Sequence, residues 1–187
     1  MPIRISIDLD NTVFNVAEKY RDIVLHYDGT YTAPICYDVY KNGYSRAAAD
    51  ALLRMFNSDA VYQTRVFDER IPNILNLLYK NPQYELFYIT ERGPEKHIPT
   101  LGQLHRAGII CEDSHLVHRI PKVDALREYN IALCFDDAPH VVSDCIENNI
   151  GVVMISNEHM AYNHHLRTRV ENYPDLMTAI MQRGLVK

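Results

Sequence analysis

Two aspartates spaced two apart close the first apolar run of the chain, in Asp8-Leu9-Asp10-Asn11-Thr12. Thr90-Glu91-Arg92 closes another run, Asp136-Asp137 a later one, and Lys122 opens the helix expected after a third strand. Singly, each has an ordinary explanation, because an Asp or Thr after a strand often caps a helix or turn and a lone Lys is usually solvated. Joint placement changes that reading. In open α/β sheets a ligand sits beyond the carboxyl ends of the strands, so residues that end successive strands converge there. Carboxylates brought together repel and raise one another's pKa, and a shared divalent ion relieves the repulsion. An all-oxygen donor set, with no His/Cys cluster beside it, favours magnesium over zinc. Such a site suits phosphoryl transfer, which depends mainly on positioning and charge neutralisation: a metal, Lys122 and the Thr90 hydroxyl would face the equatorial oxygens. Period-two alternation sets Asp8 and Asp10 on one side, roughly 7 Å apart in an ideal strand. Curvature past Leu9 would bring both to one phosphate.

The elements that must hold these residues can be read from periodicity. Residues 3–9, 85–89, 115–117, 131–135 and 151–155 are short apolar runs, rich in β-branched and aromatic residues, and predict five buried strands. Helical stripes lie between most of them: Ile71, Ile74, Leu75 and Leu78; Ile98, Leu101 and Leu104; Val141, Val142, Cys145 and Ile146. A last helix is expected to start at Pro174 and stop before Gly184. Strands alternating with such helices imply an α/β fold, a doubly wound parallel five-stranded sheet with right-handed crossovers. Residues 14–68 break the pattern. Seven of the 13 tyrosines fall there, a helix is expected over 45–56, and Gly29, Pro34 and Gly43 mark turns. The expectation is a small helical cap inserted after strand 1, with residues 1–13 and 69–187 forming the catalytic core.

At 187 residues the chain can bury one good core. Apolar residues make up 47% and charged ones 23%, which excludes a disordered or fibrous chain. A net charge of -5 argues against a surface that tracks long nucleic acid, while a small anionic partner can still be held by a metal or local positive charge. Cys36, Cys111, Cys134 and Cys145 form no CxxC pair, so reduced thiols in a cytoplasm are expected. The opening MPIRISIDLD has neither the apolar run nor the cleavage site of a signal peptide, and no membrane span is expected. Self-association as a homodimer is left open.

The segment IDLDNT resembles the DxDxT first motif of haloacid dehalogenase (HAD) phosphatases, YIT the second motif, Lys122 the third and FDD the fourth, in matching order. With 14–68 as the cap, the resemblance covers nearly the whole chain. It implies Asp8 as the covalent nucleophile, Asp10 as general acid and base, and Thr90 and Lys122 as ligands of the transferring phosphoryl group. Magnesium (Mg2+) would be held by Asp8, the Asp10 backbone carbonyl and Asp136, with Asp137 orienting Lys122 or a metal-bound water. Because the dehalogenases of the superfamily lack the second acid, Asp10 favours phosphoester hydrolysis. The layout is also similar to that of the 5'(3')-deoxyribonucleotidases, which implies a (deoxy)nucleoside monophosphate as substrate. That resemblance offers Phe14, Tyr20, Tyr40, Tyr44 and Tyr62 as aromatic faces for a base, Phe14 and Tyr44 foremost, and Arg92 as a ligand of phosphate or ribose. Competing expectations are a HAD phosphatase for another small metabolite, a polynucleotide 3'-phosphatase and a phosphate-binding module without turnover. The histidines at 140, 159, 164 and 165 receive no role.

Overall fold

The way side chains alternate along the strands decides how the central sheet is covered. The structure, a computed structural model, describes residues 1–186. Its strands are β1 (Ile3–Ile7), β2 (Tyr84–Thr90), β3 (Leu116–His118), β4 (Leu133–Asp136), β5 (Gly151–Ile155) and β6 (Glu171–Tyr173), all parallel, in the order β3-β2-β1-β4-β5-β6. The helices are α1 (Val16–Asp28), α2 (Arg46–Phe56), α3 (Ile71–Lys80), α4 (His97–Arg106), α5 (Lys122–Glu128), α6 (Pro139–Glu147) and α7 (Leu176–Gln182). Ile5, Ile7, Leu86, Tyr88, Leu133, Phe135, Val153 and Ile155 turn to one face and pack with Ile71, Leu75 and Leu78 of α3, Leu104 of α4 and Leu176 and Ile180 of α7. Their neighbours Phe87, Ile89 and Cys134 turn to the other face, against Ala125 and Leu126 of α5 and Val141 and Cys145 of α6. Both faces are therefore covered, as expected of a doubly wound sheet. Among the described residues no helix is long and apolar enough to cross a membrane.

The sheet has six strands, not five. The sixth, β6, is three residues of sequence Glu-Asn-Tyr at the sheet edge, without an apolar run by which periodicity could reveal it. Ile98 also departs from expectation: α4 buries Thr100, Gln103 and Leu104, which leaves Ile98 74% exposed. The last helix begins at Leu176 rather than Pro174, because the Asp175 carboxylate accepts the Thr178 N–H and caps it there.

Between β1 and α3 the chain leaves the sheet and returns. α1 and α2 pack on each other through Tyr20, Val24, Ala49 and Leu52, and a second small cluster joins Val16, Met55, Val61 and Tyr62. The two crossings lie side by side: Asn15 N–H donates to Arg65 O at 2.7 Å, Phe67 N–H donates to Val13 O at 3.1 Å, and Phe14 bridges Val66. Phe14 thus belongs to the main core at this neck.

The strand order places β1 beside β4 at the point where the chain switches from one half of the sheet to the other, the usual ligand crevice of such folds. Past β1 the backbone turns sharply. Asn11 takes φ 62°, and the N–H groups of Val13 and Phe14 both return to Leu9 O, at 2.9 and 2.8 Å. Asn suits this left-handed position because its short amide can bond locally. Its Oδ1 accepts the Ala17 N–H at 2.8 Å, tying the turn to the start of α1. Asn11→Ala should cost more stability in a urea titration than Asn11→Gly, by about 1 kcal/mol, the scale of left-handed strain at a residue with a Cβ. Equal costs would mean that the side-chain bonds, not the backbone, hold the turn.

Candidate active site

Asp8 follows β1 directly, and its N–H is fixed on Phe135 O of β4 at 2.9 Å. Asp136 ends β4, and Lys122 is the first residue of α5. Register therefore brings these three together although the two aspartates are 128 positions apart in sequence. Lys122 Nζ donates to Asp8 Oδ1 at 2.5 Å and to Asp136 Oδ2 at 2.8 Å, and all three side chains are buried. The Asp136 Oδ1 accepts the Ala138 N–H at 2.9 Å. Asp137 also points inward, where Tyr162 Oη donates to its Oδ2, and Asn163 Nδ2 donates to its backbone carbonyl at 2.8 Å. Tyr162 and Asn163 sit in a short 3₁₀ turn after β5 and had no signal in the sequence.

The electrostatics of this cluster are unbalanced. Burial, with Lys122 opposing and Asp136 and Asp10 adding to it, pushes the Asp8 carboxyl up to about 7. Burial and then the charges of Asp8 and Asp136 carry Asp137 well above the carboxylate range. Burial opposes the Lys122 charge, but Asp136 and Asp8 hold its ammonium well above the ordinary lysine value. One buried ammonium faces three buried carboxylates, which leaves two negative charges unmatched when all are ionised. Oxygens of Asp8, Asp136 and Asp137 lie within 4.8 Å of one another. A hard divalent cation fits both the donor type and the charge deficit.

Asp10 and Arg92 form a second group. Arg92 Nε and Nη2 donate to the two oxygens of Asp10, at 2.9 and 2.5 Å. Thr90 ends β2, is buried, and its Oγ1 accepts the Arg92 N–H at 3.3 Å. At the rim, His140 pairs with Glu91 at 2.9 Å, and that bond raises the imidazole pKa.

Asp8, Asp10, Thr90, Arg92 and Lys122 all line one cavity of about 350 Å³. Its upper wall comes from the 14–68 segment, with Tyr20, Tyr31, Tyr37, Phe56 and Tyr62. Tyr20 and Tyr62 are two of the expected aromatic faces, and the other three are elsewhere. Phe14 packs in the main core at the neck, and Tyr44 sets its ring edge on Tyr20 at 5.9 Å while its hydroxyl donates to Thr32 O. Tyr40 lies exposed over the Arg46 guanidinium, outside the cavity. Tyr31 and Tyr37 take these places from an irregular stretch where no periodicity marks which side chains turn inward. Tyr37 meets Tyr162 edge-on at 5.3 Å and His140 at 5.5 Å. Although Tyr37 as a whole is 53% exposed, its hydroxyl reaches in towards the acidic cluster, where desolvation, then Asp137, Asp8 and Asp136, raise its pKa above the usual value.

No family model and no curated protein matches the sequence. Solved structures do match. A haloacid dehalogenase-like hydrolase from Burkholderia xenovorans superposes with a TM-score of 0.61 at 12% identity, covering 100% of this chain and 99% of that one. The chain has the HAD-like hydrolase fold. It is also similar to a protein described as a phosphoglycolate phosphatase from Lactobacillus plantarum, with a TM-score of 0.56, 14% identity and coverage of 97% and 99%. A 2-haloacid dehalogenase from Pseudomonas syringae gives 0.51 at 13% identity, with coverage of 98% and 99%. One HAD-like fold thus carries different chemistries, and the choice between them rests on the residues of the site.

The raised carboxyl values set a pH dependence. A carboxyl whose folded pKa lies above its unfolded value destabilises the fold once ionised, so the metal-free protein should lose stability as pH rises from about 4 towards 7, the window between the ordinary and the folded Asp8 values. A divalent cation bound by these carboxylates would displace those protons, so magnesium binding should tighten over the same window and release protons. Isothermal titration in two buffers of different ionisation enthalpy, with melting curves at pH 5.5 and 7.5, checks both. Magnesium affinity independent of pH would contradict the assignment.

Proposed function

We propose that this protein is a magnesium-dependent phosphomonoester hydrolase that uses Asp8 as its nucleophile on a small phosphorylated substrate. The observation that carries the reading is Lys122 Nζ bridging Asp8 and Asp136 where β1 and β4 end, with Asp10 two residues on and Thr90 at the end of β2. Asp8, Asp136 and the Asp10 carbonyl would hold magnesium, with Asp137 beside them; when bound, the ion would neutralise charge on the transferring phosphoryl group. Asp8 attacks phosphorus and becomes an aspartyl phosphate, while the bond to the leaving oxygen breaks and that oxygen takes a proton from Asp10. Asp10 then takes a proton from water as the water attacks phosphorus, releasing phosphate and restoring Asp8. Lys122 and the Thr90 hydroxyl hold the phosphoryl oxygens in both steps. The second acid, Asp10, favours this chemistry over carbon–halogen cleavage.

For the substrate we propose a (deoxy)nucleoside monophosphate, with residues 14–68 acting as the cap that selects it. The support is chemical. Tyr20, Tyr31, Tyr37 and Tyr62 give the cavity aromatic walls; the buried Tyr31 hydroxyl has no hydrogen-bond partner, and that of Tyr20, near Tyr44 and Asn42, makes no bond of good geometry. A planar base with polar edges satisfies both features, and stacking contributes roughly 1–3 kcal/mol per base in nucleic-acid binders. A small sugar phosphate would leave the walls and hydroxyls without a partner.

Wild-type protein should hydrolyse p-nitrophenyl phosphate only with a divalent ion, and calcium should support little turnover because its coordination is looser. Asp8→Asn should abolish hydrolysis and leave the circular-dichroism spectrum unchanged. Full activity in chelator, or substantial activity of Asp8→Asn, rules out the mechanism. In a phosphate-release assay across nucleoside monophosphates and sugar phosphates, Tyr20→Phe and Tyr31→Phe should raise KM for nucleotides and leave p-nitrophenyl phosphate unaffected. A preference for sugar phosphates would overturn the substrate and leave the chemistry standing.

A further inference from the structure

Arg92 stands where a ligand for substrate phosphate would be expected, yet its donors are already engaged. Nε and Nη2 hold the two oxygens of Asp10 at 2.9 and 2.5 Å, and Nη1 donates to Gln103 Oε1 at 2.8 Å and Thr100 Oγ1 at 3.3 Å. A guanidinium has five N–H groups, so these four bonds leave one. The side chain is 6% exposed, and the Tyr62 ring lies 5.0 Å from its central carbon. Gln103 is fixed in turn: its Nε2 donates to Val61 O at 3.3 Å, Thr64 O at 3.4 Å and Thr64 Oγ1 at 3.2 Å. A chain of largely part-buried bonds therefore runs from the end of the 14–68 segment, through α4, to the carboxylate of Asp10.

We propose that Arg92 is a positioning residue that acts on the reaction through Asp10, tying its carboxyl to α4 and to the neck of the inserted segment, and that it does not bind the substrate phosphate. This rests on the phosphatase reading. Asp10 lies past the end of β1 on a turn, with its side chain 30% exposed, so little else restrains its torsions. A two-pronged guanidinium–carboxylate pair sets both distance and plane, which a single ammonium cannot do. Proton delivery to the leaving oxygen depends on that placement. Attack by Asp8 does not, because Lys122 and Asp136 hold Asp8 separately.

The two contributions separate by leaving group. p-Nitrophenolate departs with little help from a proton, whereas the alkoxide of benzyl phosphate needs one. With magnesium present, Arg92→Met should lower kcat for benzyl phosphate by about 10²-fold, the scale of misplacing a catalytic group by an ångström. With p-nitrophenyl phosphate the pre-steady-state burst of p-nitrophenol should keep nearly its wild-type rate while the steady state slows, because Asp10 also serves as base in the second step, and Kd for both substrates should stay nearly unchanged. Arg92→Lys should recover part of the benzyl phosphate rate, since one prong can still meet one oxygen. Gln103→Met, outside the catalytic machinery, should repeat the pattern more weakly.

A parallel rise of KM for both substrates would overturn the proposal and make Arg92 a phosphate ligand. Equal slowing of phosphoenzyme formation from both substrates, with a lowered Tm and no recovery by Arg92→Lys, would overturn it and make the pair structural. Asp8→Asn separates the two levels of the argument. If Asp8→Asn is dead and the leaving-group ratio of Arg92→Met is that of wild type, only this inference fails. If Asp8→Asn is active, or wild type hydrolyses neither substrate, the phosphatase reading fails with it.

Discussion

Lys122 between Asp8 and Asp136 is the contact on which the rest of the site depends. Three carboxylates and one ammonium are withdrawn from water at the meeting point of β1, β4 and α5, and their neighbours supply few other donors. Breaking a buried pair of this kind by removing one partner costs on the order of 3–5 kcal/mol, because the charge left behind is uncompensated. The arrangement is tolerable in a fold of marginal stability only if something else balances the excess negative charge. Protons do so when Asp8 and Asp137 are neutral, and a divalent cation does so when they are ionised. Binding and stability are thus linked through the same oxygens, and a cation held there would also relieve the fold.

The sheet exists, in functional terms, to force that proximity. Parallel pairing of β1 with β4 fixes Asp8 against Phe135 and Asp136, and α5 returns Lys122 from the opposite edge. Nothing in this part depends on the 14–68 segment. That segment instead supplies the aromatic upper wall and, through Thr64 and Gln103, a mechanical connection to Arg92 and Asp10. Asp8 and Asp10 are therefore held by different parts of the molecule: the centre of the sheet holds one, and a turn braced from the neck holds the other.

How much of this was legible in the sequence follows from what periodicity records. Buried strands that end in polar residues are visible, because the switch from apolar run to Asp or Thr is abrupt at Asp8, Thr90 and Asp136. The edge strand β6 is invisible, since three half-exposed residues carry no pattern. Of the aromatics of residues 14–68 that the sequence offers, Tyr20 and Tyr62 reach the cavity while Phe14, Tyr40 and Tyr44 do not. Phe14 is drawn into the core at the neck, and Tyr44 is turned away by its hydrogen bond to Thr32, while Tyr31 and Tyr37 reach the cavity from a loop whose path only tertiary packing decides. The Arg92–Asp10 pair and the Tyr162–Asp137 contact were missed for a related reason: they join side chains far apart in sequence, and no local spacing encodes them.

The central claim is that Asp8 is phosphorylated during turnover and that Asp10 serves both halves of the reaction. Asp10→Asn, mixed with p-nitrophenyl phosphate and quenched in acid within milliseconds, tests it directly by mass spectrometry. Formation of the aspartyl phosphate should proceed, because p-nitrophenolate needs little protonation, while its hydrolysis slows by about 10²–10⁴, the usual loss when a general base is removed. The account predicts one added phosphoryl group on the peptide that contains Asp8, with a burst of p-nitrophenol before a slow steady state. Absence of any phosphorylated peptide, together with equal slowing of p-nitrophenyl phosphate and a nucleotide, would contradict it and indicate direct hydrolysis by water.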